Sequence, residues 1–189
     1  MALPDGYNTY PTAGMLGTND NNNEFVSSAV SPNEDGSIIE RLEDLRDKQP
    51  RTVSLGQAAA ALTGTATKFT ISGVVAIKHL GMLITTALPA GANTLKFSFT
   101  PTGGVATDLC AATDTASAAK NQLFLVDGVK ATALVKATDA GIAVAANEHM
   151  PIILGPGVIQ TIYSAGAPAT GAATLFVDYE PVVPGATIV

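Results

Sequence analysis

The sequence contains a single cysteine, Cys110, which excludes an internal disulfide framework and any metal site built from several cysteines. Tryptophan is absent and Phe and Tyr total only ten, so few rings are available to stack on a sugar. Only two histidines occur, His79 and His149, and neither belongs to a metal-ligand spacing motif. Charged residues make up 14% of the chain. The longest apolar stretch, Val74 to Leu88, is interrupted by Lys78, His79 and two threonines and is not a bilayer span. Met1–Gly6 is neither basic nor apolar enough for a secretion signal, so the expectation is a soluble protein made in a cytoplasm.

Catalytic motifs are missing too. The sequence has no nucleophile elbow, phosphate-binding Gly-Lys-Ser/Thr loop or dinucleotide fingerprint, and Gly155-Pro156-Gly157 lacks the following helix that phosphate binding needs. Asp108 and Asp114 flank Cys110. Acidic neighbours raise a thiol pKa, which argues for a buried small hydrophobe rather than a nucleophile. The two aspartates fit a turn cap or a hard cation, but their spacing is not that of a calcium loop. The expectation is a non-enzymatic protein with no cofactor and no metal.

The chain itself divides near residue 51. Residues 1–51 carry 4 basic and 9 acidic groups, a net of −5; residues 52–189 carry 6 and 7, a net of −1. A mildly acidic chain with scattered lysines is a poor polyanion binder, which argues against nucleic acid and anionic membrane as partners. Leu, Val, Ile and Phe total 48, of which 9 lie in residues 1–51. The body can therefore build a core. Its low charge is unusual for a soluble monomer and points to surface hidden in subunit contacts.

Residues 1–36 read as an extended arm, interrupted by glycine, proline and the Asn19–Asn23 run. Tyr10 and Phe25 are candidate anchors on a neighbouring subunit; a floppy tail with incidental hydrophobics is the alternative. In residues 37–50, a short amphipathic helix and linker, Ser37-Ile38-Ile39-Glu40 forms a capping box. Ile38, Leu42 and Leu45 share one face, and Pro50 ends the element. About twelve helical residues are marginal alone in water. The stripe must pack on the body, around an oligomer axis or in a partner's groove, and Ile38, Ile39, Leu42 and Leu45 are the interface candidates.

Residues 51–189 alternate as short strands between Gly/Pro turns, which predicts an all-β fold, a β-sandwich or jelly-roll-like domain. Leu95–Phe99 and Leu175–Tyr179 alternate most cleanly. Lys68–Ile71, Val74–Thr86, Ile142–Ala146, Ile152–Leu154 and Val158–Tyr163 add further strands. Gln122–Val126 and Val129–Val135 flank Asp127-Gly128 as a tight hairpin. Gly81 suggests a bulge or bend, Thr113–Asn121 fits a short helix, and the end of the chain fits an edge strand.

Three segments resemble small structural proteins of tailed bacteriophages. They are Asn33–Glu43, Thr107–Asp114, and the ending from Pro156–Ile159 through Thr170-Gly171 and Tyr179–Pro181 to Gly185-Ala186. Near Leu175-Phe176 the chain lacks the tryptophan that the resemblance leads one to expect. The resemblance implies a head decoration (cement) protein, or else a head-fibre or tail accessory subunit. It implies a homotrimer bound to the major capsid protein on the virion surface. A carbohydrate-binding β-sandwich is the competitor outside that class.

Overall fold

The computed structural model describes residues 49–91, 93–137 and 149–189. The arm, the capped segment 37–48 and the Ile142–Ala146 strand lie outside the described residues. Among the described residues the body holds twelve strands and one 3₁₀ turn at Ala59–Ala61. The strands are β1 Arg51–Ala58, β2 Thr65–Ser72, β3 Val75–Thr86, β4 Thr94–Pro101, β5 Thr107–Asp108 and β6 Thr113–Asp114. They continue as β7 Leu123–Leu125, β8 Val135–Lys136, β9 Ile152–Leu154, β10 Gly157–Tyr163, β11 Ala172–Pro181 and β12 Thr187–Ile188.

The strands form two six-stranded sheets whose ladders are all antiparallel. One runs β1-β11-β3-β7-β8, with β9 also on β3; the other runs β12-β2-β10-β4-β5, with β6 also on β4. The chain crosses between sheets at β1–β2, β2–β3, β3–β4, β6–β7, β9–β10, β10–β11 and β11–β12. Strand alternation supplies the shared core. Ile77, Leu80, Met82 and Ile84 from β3 and Leu175, Val177 and Tyr179 from β11 meet Phe69, Phe97 and Ile159 from the other sheet. This is the expected β-sandwich: one inner face per sheet, both nearly dry.

Three local expectations differ. Gly81 causes no bulge, because the register runs unbroken through it. A Cβ there would stand 2.4 Å from the Phe124 carbonyl oxygen and 3.1 Å from the Phe176 ring, so the glycine exists to let β7 approach β3. Leu123–Leu125 and Val135–Lys136 do pair, but the connection spans residues 126–134 rather than a two-residue turn. Gly128, at φ 96°, instead lies under the His149 carbonyl, 2.5 Å from an added Cβ. Thr113–Asn121 is not helical: Asp114 Oδ1 accepts from Ala116 N at 2.8 Å, and Ser117 and Asn121 take positive φ. Local side-chain bonding of this kind competes with the helix. The end of the chain is an edge strand, β12 on β2.

Two substitutions test this packing. Gly81→Ala usually gains a little strand stability, but here the backbone contact reverses the sign. A loss of about 1–3 kcal/mol is expected from denaturant titration. Thr161 is fully buried and its Oγ1 has no hydrogen-bond partner among the described residues. Thr161→Val removes that desolvation cost and should raise stability by about 1 kcal/mol in the same assay.

Candidate functional site

The predicted interface residues Tyr10, Phe25, Ile38, Ile39, Leu42 and Leu45 lie outside the described residues. The chemistry-bearing side chains of the body are distributed over its outer surface. His79 projects outward from β3, and its Nδ1 lies 3.2 Å from Asp178 Oδ2 on β11. Thr52 on β1 donates to the other oxygen, Oδ1, at 2.6 Å. Hydroxyl and imidazole therefore meet on one carboxylate instead of meeting each other, so the imidazole is not placed to take the hydroxyl proton. Lys78 pairs with Glu180 at 2.9 Å on the same face. His149 lies 3.4 Å from Asp127 in a separate loop contact. Both imidazoles are more than half exposed. Neither lines a cleft described below, and no cluster of metal-ligating groups occurs among the described residues.

Cys110 is fully buried. Its Sγ accepts from Phe97 N at 3.3 Å. Burial pushes the thiol up from 9.0 to about 11; Asp108 adds to the rise, while the Phe97 amide and Lys96 oppose it. Desolvation, more than the acidic neighbour, thus keeps the thiol neutral. Asp108 is itself paired with Lys96 at 2.8 Å, and Asp114 caps its turn. At the other sheet edge, Lys68 Nζ donates to Gln57 Oε1 at 2.5 Å and to Ala61 O at 3.5 Å. Burial lowers its pKa.

Clefts among the described residues include two of note. One, of about 280 Å³, lies among the loops at the Thr86 end of β3 and is lined by Leu62, Leu88, Pro89, Tyr163 and Pro168. The other, of about 390 Å³, carries Lys96, Asp108, Lys130 and Ser164 on the outer side of β4 and β10. Sugar stacking needs an exposed ring beside such a groove. Tyr163 is 6% exposed with its hydroxyl toward Met82 Sδ at 3.8 Å, and Tyr179 is 2% exposed. Among the described residues no Phe or Tyr side chain is exposed.

Exposed apolar side chains gather instead at the end opposite the first cleft. The register sets Ile71 beside Gly157 and Gly157 beside Pro101, and Val75 beside both Leu154 and Pro181. The connections there are 73–74, 101–106, 155–156 and 181–186, and they carry no charged residue. Val105, Ile153, Val182 and Val183 are exposed at this end or beside it, and Leu55 is exposed on β1. Sequence reasoning missed this grouping, because only the folded register brings four distant loops together.

The sequence matches no protein-family model and no curated protein. Among solved structures it is similar to "Structure of infectious bursal disease virus Gt strain", at 12% identity and a TM-score of 0.28. It is also similar to "Crystal structure of infectious bursal disease virus VP2 subviral particle", at 10% identity and a TM-score of 0.28. Each alignment covers 75% of this chain and 40% of the other, so the chain spans well under half of those proteins. At that similarity they carry no weight for fold or function.

The thiol gives a pH test. A folded-state pKa above the unfolded one leaves stability unchanged below pH 9. It removes stability as pH rises from 9 toward 11, where the unfolded chain ionises first. The difference in unfolding free energy between wild type and Cys110→Ala should shrink across that window by about 2 kcal/mol. A difference constant from pH 8 to 11 would show the thiol is not desolvated.

Proposed function

We propose that this chain is a non-enzymatic structural protein of a virion, one that self-associates and binds the outer surface of a tailed-phage capsid to stabilise it. The observation that carries this reading is the outer edge of β1, which pairs with no other strand among the described residues. β1 is an eight-residue strand at the edge of its sheet, with Leu55 37% exposed although it faces the core. Such an edge is a template for joining another chain. The nearly uncharged loop ends and the paired-off surface ions support the same reading, because they offer protein contact and little chemistry. The bacteriophage resemblance of Asn33–Glu43 and Thr107–Asp114 supplies the setting. A protein that binds only the assembled shell stabilises it by mass action and needs no active site. A head-fibre or tail accessory subunit would share these features but would not coat the shell.

In this reading Ile38, Ile39, Leu42 and Leu45 form the apolar seam toward shell or sister subunits, with Tyr10 and Phe25 as arm anchors. Leu42→Asp should leave the melting temperature of the body unchanged and lower co-sedimentation with undecorated capsids ten-fold or more. Wild-type co-sedimentation of that variant would remove the seam from this face. Failure of the wild-type chain to co-sediment would overturn decoration itself.

A further inference from the structure

The sheet edges of this body are not alike. Among the described residues, the other strands ending or flanking the sheets, β5, β6, β8, β9 and β12, are only two or three residues long. Three of them also carry a charge: Asp108, Asp114 and Lys136. Short, charged edges resist pairing with another chain. β1 is longer, and its one charge, Arg51, stands at its first residue. It runs eight residues without proline, and no charged residue lies between Thr52 and Ala58. Along Thr52–Ala58 its backbone pairs with β11 alone among the described residues.

The side chains of β1 tell the same story from the inner face. Val53 stands opposite Val177 and Leu55 opposite Leu175, so both point toward the space between the sheets. Leu175 and Val177 are each 0% exposed, whereas Leu55 is 37% exposed. Among the described residues no strand closes the sandwich along this side. Whatever completes it must supply strand hydrogen bonds and inward apolar groups together.

We propose that the completing element is β1 of a second copy of this chain, paired antiparallel about a two-fold axis through Ser54 and normal to the sheet. This names a partner for the self-association proposed above and rests on that reading only for its biological role. Facing residues in an antiparallel pair share a side of the sheet. A register centred on one residue therefore keeps both cores on the same side, while one centred between two residues throws them to opposite sides. Centring on Ser54 sets Val53 opposite Leu55 of the partner subunit and Leu55 opposite the partner's Val53. Arg51 falls opposite the partner's Gln57, and no like charges meet. Centring on Leu55 would instead set Val53 against the amide of Gln57 of the partner subunit. An isologous contact must be self-complementary, and this strand is.

Ser54 is exposed, faces outward and stands on the proposed axis. Ser54→Glu and Ser54→Lys each place like charges opposite one another across that axis. Full-length wild type should show, by light scattering across a dilution series, twice the mass of either variant. The association constant should fall ten-fold or more, with thermal melts that match wild type at concentrations where both are monomeric. An equimolar mixture of the two variants should recover the wild-type mass, because Glu then faces Lys. Three results would each overturn the pairing: a monomeric wild type, variants that keep the wild-type mass, or a mixture that stays at half mass. Because the readout is a factor of two at β1, it stands whether or not the chain binds capsids.

Discussion

The body depends on the ladder between β3 and β11, ten residue pairs joining segments about a hundred positions apart. Its inner side carries the core series from Ile77 to Ile84 and from Ala173 to Tyr179. Its outer side carries the pairs Lys78–Glu180 and His79–Asp178. Everything else in that sheet attaches to it. β7 can dock only because Gly81 leaves room for the Phe124 carbonyl. β9 takes the start of β3, and β1 takes the far side of β11. A ladder so non-local pays loop-closure entropy before its contacts are made, which slows folding of the whole body.

That dependence explains why some of the fold was legible and some was not. β4, β10 and β11 alternate with period two because each has one dry face and one wet one, and the sequence displays that directly. β1 does not. Thr, Ser and Gly occupy its outer positions and its inner side is half open, so no strong pattern accumulates. β5, β6, β8 and β12 are two residues each, too short for any period to show. The Ala-rich run Thr113–Asn121 has good helix propensity, but Asp114 bonds its own turn and Ser117 N bonds Pro89 O. Tertiary anchoring overrode propensity there. Gly81 and Gly128 were visible as glycines, while the backbone groups that demand them were visible only in the fold.

The candidate surfaces divide the same way. His79, Asp108, Asp114 and Cys110 were conspicuous as residue types, and the structure disperses them into separate local roles: a surface contact with Asp178, an ion pair with Lys96, a turn cap and a core thiol. Chemistry-bearing residues are informative only when the fold converges them. Position in the sheet, by contrast, converts the unremarkable Val53, Ser54 and Leu55 into the least protected edge of the body.

A two-fold axis at Ser54 also constrains how a paired body could meet a shell. Antiparallel pairing turns one copy end for end relative to the other. The uncharged ends bearing Val105 and Val182 then point in opposite directions, and one surface cannot receive both. A contact shared equally by the two copies must lie on a sheet face, perpendicular to the axis. The outer face of β3 and β11 has the means for specificity there, because its paired charges can fix orientation where an apolar end could not. The same axis separates the two Arg51 positions by six residues of strand, about 20 Å. The chains therefore enter β1 from opposite sides of the pair.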